Sequence, residues 1–311
     1  MLSTPLLSIV IPTHKRAEIL QRCLEHIERQ TIAERLEVIV VNDGEKLKIE
    51  NLKLKINFKI VDVPACHQGV ARNVGVKNAK AERLLFIGDD IFLAPTACEK
   101  HLPIFNSQFS IFNSPAVLGF TTWDPTCDIT PVMIWLEKSG WQFGYPSIQQ
   151  FSHSTIPSGI QHHYTYTSHI SLPTAIAKKF PFREDVTLYG WEDIEWGLRL
   201  KNAGVPLIYE PDAKALHHHH MTMEDSLKRM ETLGRSAVVM ERMVPELKLV
   251  PRGFKKWKYR IAAMMLGMRG EHARAFLRGM MLPVAEIIPV DSATQRKMDS
   301  IVSKWHERAN K

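Results

Sequence analysis

Hydrophobic positions in the first third of the chain alternate between two spacings. Residues 7–11 form a short apolar run, interrupted only by Ser8 and β-branched at Ile9, Val10 and Ile11, as in a strand buried on both faces. The next apolar residues, Leu20, Cys23, Leu24 and Ile27, recur at three- and four-residue intervals and predict a helix. Residues 36–41, 59–63 and 84–87 read as three further strands. Residues 70–79, with Val70, Ala71 and Val74 on one side, read as a second helix. Strand–helix alternation with mostly apolar strands predicts a largely parallel sheet covered by helices on both faces.

Beyond Pro115 the pattern loosens. Residues 117–121 predict a strand and 131–138 a helix, while 152–169 is a polar, His- and Tyr-rich stretch suited to strands and loops lining a cleft. A helix is predicted over 191–202, with Ile194 and Leu198 on its inner face, and a strand over 207–210. After His220 the character changes. Residues 223–244 and 259–281 are rich in Met, Leu and Arg at helical spacing, separated by a proline-bounded break at 245–251, and predict a helical C-terminal extension.

Composition narrows the picture only slightly. The 311 residues are 45% hydrophobic and 23% charged, without repeats or low-complexity tracts, as expected of a globular chain with one large α/β domain and an appendage. The formal charge of +7 suits acidic partners without choosing among them, and the excess thickens between Arg252 and Arg278, where Glu271 is the only acid. The four cysteines form no CxxC pair, which argues against a disulfide framework or zinc knuckle and for a reducing, cytoplasmic setting. No run approaches the roughly 20 apolar residues of a membrane span.

The candidate chemistry lies where the strands end. The first strand runs into Pro12-Thr13-His14-Lys15-Arg16, the second into Asn42-Asp43-Gly44 and the fourth into Gly88-Asp89-Asp90. In an open parallel sheet ligands bind outside the carboxyl ends of the strands, where loops converge and helix N-termini point inward. Read singly, Asp43-Gly44 is a turn and Asp89 a helix cap; read together, they outline one rim. Adjacent carboxylates at Asp89-Asp90 are hard oxygen donors for Mg²⁺ or Mn²⁺, which complete their shells with water and phosphate. Asp43 is suited to accept the imide N–H of a uracil or thymine ring, with Thr13 backbone groups on its other edge. Arg72, at a helix start, is suited to a diphosphate.

The segments SIVIPTHKR, VIVVNDG, QGVARNVG and LLFIGDDI, in this order and spacing, closely resemble the family 2 glycosyltransferases of GT-A fold. Further on, GWEDIEWGLRL resembles the acceptor-side Gly-Trp-Glu-Asp motif of that family and its galactosyltransferase-like relatives, and EPDAKALH the strand whose last histidine completes their metal site. The resemblance covers about residues 7–220. It implies a GT-A-type, Rossmann-like, mostly parallel α/β sandwich, with a nucleotide-sugar-binding half at 1–125, an acceptor-binding half at 126–220 and the helical extension at 221–311. It implies that Thr13 and Asp43 hold the base, Arg16 lies beside the ribose and Arg72 near the phosphates. Asp90 would ligate Mn²⁺ or Mg²⁺ together with His217, Asp89 would serve the donor, Asp193 would be the catalytic base, and Glu192 and Trp191 would hold the acceptor.

Two departures stand out: Gly88 replaces the first acid of the D-x-D motif, and His169 replaces a frequent asparagine. The run His217–His220 cannot place all its rings on one side of a strand; His217 is the expected ligand and His219 the alternative. The expected reaction is inverting, metal-assisted sugar transfer from a UDP- or dTDP-sugar to a glycan or lipid-linked acceptor, with no nucleic-acid partner. Alternatives are a nucleotidyltransferase, disfavoured because PTHKR carries no glycine, and a non-catalytic carbohydrate- or partner-binding module. The basic tail reads in three ways: a solvated face, a partner surface of adaptable Met-rich helices, or a peripheral contact with the inner membrane face, given Phe254, Trp257, Tyr259 and Phe276 among lysines and arginines. Asp193, in the first turn of its helix, is expected to stay ionised there.

Overall fold

The apolar, β-branched runs form the centre of a mixed sheet in the computed structural model, which describes residues 4–45, 47, 56–102, 114–186 and 189–282. In chain order the elements are β1 (Leu7–Thr13), α1 (Ala17–Glu28), β2 (Leu36–Asp43), β3 (Asn57–Val63), α2 (Gln68–Asn78), β4 (Arg83–Ile87), β5 (Ile91–Leu93) and α3 (Ala97–Lys100). There follow β6 (Ala116–Trp123), α4 (Pro131–Ser139), α5 (Tyr145–Ile148), β7 (Ser154–Thr155), β8 (His169–Pro173), α6 (Thr174–Lys179), α7 (Glu192–Asn202) and β9 (Leu207–His217). The last three are α8 (Met223–Met243), α9 (Gly253–Met264) and α10 (Met268–Met281). Among the described residues the sheet order is β3-β2-β1-β4-β8-β6-β9-β5, with β7 against β9.

The half from β3 to β4 is parallel, as the apolar runs predict. Alternation along β1 sends Val10 to one face, with Phe86, Ile170, Trp196 and helices α2, α6 and α7, and sends Ile9 and Ile11 to the other, with Leu24, Phe92 and helices α1 and α3. The other half is mixed. β8 runs antiparallel to β4 and β6, while β6 and β9 are parallel to each other. All of β8 is buried, although the pattern predicted a cleft-lining stretch up to His169. Inside it, Ser171 Oγ accepts from Arg83 Nε at 3.1 Å and pairs with His101 Nδ1 at 3.0 Å, while His169 Nδ1 meets Thr121 Oγ1 at 3.1 Å and its Nε2 finds no partner among the described residues. His169 is wholly buried, its ring in the space that a side chain at Gly119 would need.

The predicted strand at 207–210 continues to His217 because the chain bulges. Glu210 lies opposite Gly119 and Lys214 opposite Phe120, so 211–213 are looped out and Pro211, which has no N–H to donate, costs the ladder no bond. The expected helix over 259–281 is two helices, broken at Gly267, whose φ of +81° suits glycine. The extension is no detached unit: Met230, Ala237 and Met240 of α8 and Ala275 and Phe276 of α10 share a core with Leu198 and Ile194 of α7. Residues 283–311 of the expected extension lie outside the described residues. All four cysteines are free, and no described helix is long and apolar enough to cross a membrane.

Candidate active site

The carboxyl ends of β1 and β4 are neighbours, which brings Thr13 to Asp89. Thr13 Oγ1 donates to Asp89 Oδ2 at 2.7 Å. Arg16, at the entrance to α1, spans both acids, with Nη1 at 2.8 Å from Asp89 Oδ1 and Nη2 at 3.0 Å from Asp90 Oδ2. Both carboxylates are buried. Burial, opposed by Arg16 and helped by the charge of Asp90, pushes Asp89 up to about 6. For Asp90 burial also acts upward, yet the His217 and His219 imidazoles and the Arg16 charge hold its carboxyl well below the usual range. Gly88 makes room for this pair: a Cβ there would lie 2.9 Å from Asp90 Oδ1.

A short strand that the pattern did not predict joins Asp90 to the histidines. β5 follows Asp90 directly and pairs antiparallel with the end of β9, Ile91 opposite His217, and His218 N donates to Asp90 O at 2.8 Å. This places His217 Nε2 at 3.5 Å and His219 Nδ1 at 3.7 Å from Asp90 Oδ2. Alternation turns His218 away to Asp124 Oδ2, 2.6 Å from its Nδ1, and onto the Phe92 ring. Arg22 Nη1, a donor only, lies 2.8 Å from His218 Nε2, so that nitrogen accepts and Nδ1 carries the proton toward Asp124. His220 Nδ1 contacts Asp128 O at 2.9 Å.

One ligand atom from each of Asp90, His217 and His219 falls within 4.8 Å of the others, a mixed oxygen and imidazole set that fits a divalent metal. A cationic guanidinium already rests on the same Asp90 oxygen, a sign that the position favours positive charge. His217 is held from behind by Trp123, stacked at 5.2 Å between centroids.

A second group forms around α7. Arg72 of α2 is buried, with Nη2 donating to Gln68 Oε1 at 3.0 Å and Nη1 at 3.8 Å from Glu192 Oε1. Thus Arg72 faces the α7 carboxylates, and its Nε and Nη1 and Glu192 Oε2 have no hydrogen-bond partner among the described residues, polar capacity that a bound ligand would satisfy. Asp193 departs from the expectation of an ionised helix-start acid. Burial first, and then the charge of Glu192, overcome Arg72 and the local backbone donors and push it up to about 7. The helix dipole is the weaker influence here. Thr165, from the His- and Tyr-rich stretch, locks the turn by donating to Asp193 O at 2.8 Å. Trp191 enters α7 with a left-handed φ of 71°, and its indole N–H is spent on Leu233 O of α8 at 3.0 Å, so its ring packs into the α7–α8 core.

Asp43, at the end of β2, is held by its own neighbours. Its Oδ1 accepts from Cys66 N at 2.6 Å, and its carbonyl meets His14 Nδ1 at 2.6 Å. Trp123, Asp124 and His218 support the site without having been singled out from sequence. Only the evenness of a four-histidine run hinted that alternate residues would divide their tasks.

Comparison with known proteins places these features in context. The family described as "Glycosyl transferase family 2" matches residues 8–157. The validoxylamine A glucosyltransferase of Streptomyces hygroscopicus subsp. jinggangensis is 27% identical over 240 residues, 70% of this chain and 56% of that protein. The uncharacterized glycosyltransferase YwdF of Bacillus subtilis is 36% identical over 117 residues, 37% of this chain and 43% of its own length. The chain therefore spans less than two thirds of these curated relatives. Among solved structures, S. aureus TarS 1–349 in complex with UDP-GlcNAc is similar with a TM-score of 0.55 and 16% identity, over 90% of this chain and 77% of that one. The mannosyltransferase PcManGT from Pyrobaculum calidifontis, in complex with GDP-Man and Mn²⁺, has a TM-score of 0.55 and 14% identity, over 97% and 81% of the respective chains. At these identities the likeness is one of fold, and these neighbours are GT-A glycosyltransferases.

Proposed function

We propose that this chain, whose residues 8–157 belong to glycosyl transferase family 2, moves a sugar from a nucleoside-diphosphate donor to an acceptor hydroxyl with inversion. The observation that carries this reading is the pair of acidic groups at one rim: Asp89 and Asp90 beside His217 and His219, and a carboxyl raised to about 7 at Asp193. In the proposed step the acceptor oxygen bonds to the anomeric carbon, the bond from that carbon to the diphosphate breaks on the opposite face, and the hydroxyl proton passes to Asp193. A general base near neutrality is matched to this task. Glu192 and Arg72 would orient the acceptor and balance charge around it. Trp191 would shape the acceptor side through its packing, since its N–H is already used.

Thr13 and Asp43 would hold a pyrimidine base, and Arg16 and Asp89 the ribose side of the donor. Arg72, placed against Glu192, would reach the donor only from the sugar side. Asp90 with His217, and His219 beside it, would hold Mn²⁺ or Mg²⁺, which when bound supplies positive charge against the leaving diphosphate; imidazole in the set favours manganese. The test is release of nucleoside diphosphate from UDP- and dTDP-sugars with and without Mn²⁺, with the anomeric configuration of the product read by NMR. A retained anomer would refute inversion. Absence of any metal-dependent nucleotide binding by calorimetry would refute the donor site.

The acceptor in this reading is a glycan or lipid-linked sugar, met at an anionic membrane face through α9. That helix has no buried residue. Phe254, Trp257 and Met264 are 67%, 55% and 75% exposed, followed by Leu266 at 95%. Cations Arg252, Lys255, Lys256, Lys258 and Arg260 surround them with no acid between 252 and 270. Apolar rings among cations are what an anionic interface takes up.

A further inference from the structure

A cavity of about 430 Å³ lies between the end of β6, the bulge of β9 and the segment from Gln142 to Ser152. None of the residues assigned above to donor, metal or base lines it. Its walls nevertheless touch His217. Trp123 is one wall and stacks on His217. Phe143 is another, with its ring 6.0 Å from that of His217 and 5.2 Å from that of Tyr166.

The lining has a particular chemistry. Five aromatic rings, Phe120, Trp123, Phe143, Tyr145 and Tyr209, are interleaved with Gln142, Gln149, Glu137, Asp212 and Lys214 at the edges. One cation against two carboxylates disfavours a phosphate or a nucleotide. Polar groups on several sides disfavour a lipid tail. Apolar faces with donors and acceptors around the rim suit a pyranose, whose C–H faces are apolar and whose hydroxyls point outward. The volume falls within the usual range for small-molecule sites, roughly 300–1,000 Å³.

The walls are also held in place before any ligand arrives. Tyr145 Oη donates to Gly119 O at 3.0 Å, Gly144 N donates to Tyr166 Oη at 2.8 Å, and Gln142 Oε1 accepts from Arg229 of α8. Glu137 Oε1 accepts from Thr122 Oγ1 at 2.7 Å. The bulge at 211–213, which breaks the β6–β9 register, is what carries Asp212 to the rim.

We infer that this cavity is a subsite for a neutral sugar ring of the glycosyl acceptor, one wall away from the reacting centre. The inference rests on the transferase reading and names its acceptor as a saccharide. The experiment uses the full chain with Mn²⁺ and UDP. Saturation-transfer NMR would be run with methyl glycosides of glucose, galactose, mannose and N-acetylglucosamine, and nucleotide affinity would be measured in parallel by calorimetry. At least one glycoside should show transfer to its ring protons. Gln149→Trp, which fills the mouth from an exposed position, should weaken its binding tenfold or more. Asp212→Ala with Lys214→Ala, both exposed positions, should weaken it severalfold and serves if the tryptophan variant does not fold.

Nucleotide affinity within twofold of the unaltered protein shows that the fold and donor site persist. No transfer to any of the four glycosides, or transfer equally strong in the variants, overturns the subsite while the donor reading stands. Loss of nucleotide binding in the unaltered protein overturns the donor reading itself.

Discussion

Replacing Glu192 by Gln removes the like charge that, after burial, does most to hold the Asp193 carboxyl at about 7. Between the ordinary value of 3.8 and about 7, the neutral form is favoured by on the order of 4 kcal/mol. If Asp193 must be ionised to take the acceptor proton, kcat/KM should climb about tenfold per pH unit between pH 5 and 6.5 and level above about pH 8. Losing one nearby charge moves a carboxyl by about one unit, so in Glu192→Gln the rising limb should shift down by about a unit. Arg72→Gln should move it the other way, because Arg72 lowers the same carboxyl.

The assay is nucleoside-diphosphate release at saturating Mn²⁺ and donor across pH 5–9, with Tyr166, Glu192 and Arg72 as the groups facing Asp193. An acid limb of any other origin would not follow the Glu192 and Arg72 substitutions in opposite directions. A profile flat from pH 5 to 8, or limbs that move together, would refute the assignment of Asp193 as base. The shift carries a stability sign as well. The folded chain holds a proton that the unfolded chain releases, so this group's contribution is greatest below about pH 4 and is lost as pH rises toward 7.

Asp193→Asn should cut turnover about 10²–10⁴-fold with donor affinity retained by calorimetry; turnover near that of the unaltered protein would remove it from the chemistry. Asp90→Asn or the pair His217→Ala and His219→Ala should abolish the Mn²⁺ dependence of nucleotide binding, whereas either histidine change alone should weaken it less, and an unchanged metal titration in the double variant would sink the site. Asp43→Asn keeps an oxygen for Cys66 N but turns an amide donor toward the base, so pyrimidine nucleotide affinity should fall ten- to a hundredfold, about 1.5–3 kcal/mol. Phe254→Ser with Trp257→Ser should lower sedimentation with phosphatidylserine vesicles about tenfold at low salt. A full-length protein that ignores such vesicles at low ionic strength would leave α9 without a membrane role.

How much of this was readable beforehand follows from the length scale of each signal. The β1, β2 and β4 runs are apolar on both sides and end in polar residues, so the parallel half of the sheet and the rim carrying Thr13, Asp43, Asp89 and Asp90 were legible from local pattern. β5 is three residues long and the five-residue β8 carries His, Ser and Pro; no window that short has a period, and their pairing is decided by partners about 50 to 130 residues away. The division of labour in the histidine run was legible in kind, since alternation forbids all four on one side. That His217 and His219 both face Asp90 needed the β5–β9 register. The state of Asp193 was misjudged because helix position is local while burial and the charge of Glu192 under Arg72 are tertiary, and desolvation of a carboxylate outweighs the dipole term of roughly 0.3–1 kcal/mol.

The C-terminal helices bear on this site more directly than a sequence reading suggests. α8 and α10 cross at two glycines, where a Cβ on Gly234 would sit 2.1 Å from Phe276 O and one on Gly279 would sit 1.9 Å from Glu231 O. Only backbone can approach so closely, so the pair is drawn tightly together and Phe276 is pressed into the core shared with α7. The same α8 accepts the Trp191 indole N–H at Leu233 and places Leu233 where a Cβ on Gly190 would lie at 2.3 Å. The left-handed step Gly190-Trp191, which aims Glu192 and Asp193 at Arg72, is therefore clamped by the extension. Gly279→Ala should separate α8 from α10 and cost about 1–3 kcal/mol by overpacking. Its effect should reach the reaction: acceptor-dependent turnover should fall more than tenfold while Mn²⁺-dependent nucleotide affinity, built on β1, β4 and β9, changes little. If thermal stability drops and turnover falls only in proportion to the unfolded fraction, the clamp is structural alone and the link from α8 to Asp193 is refuted.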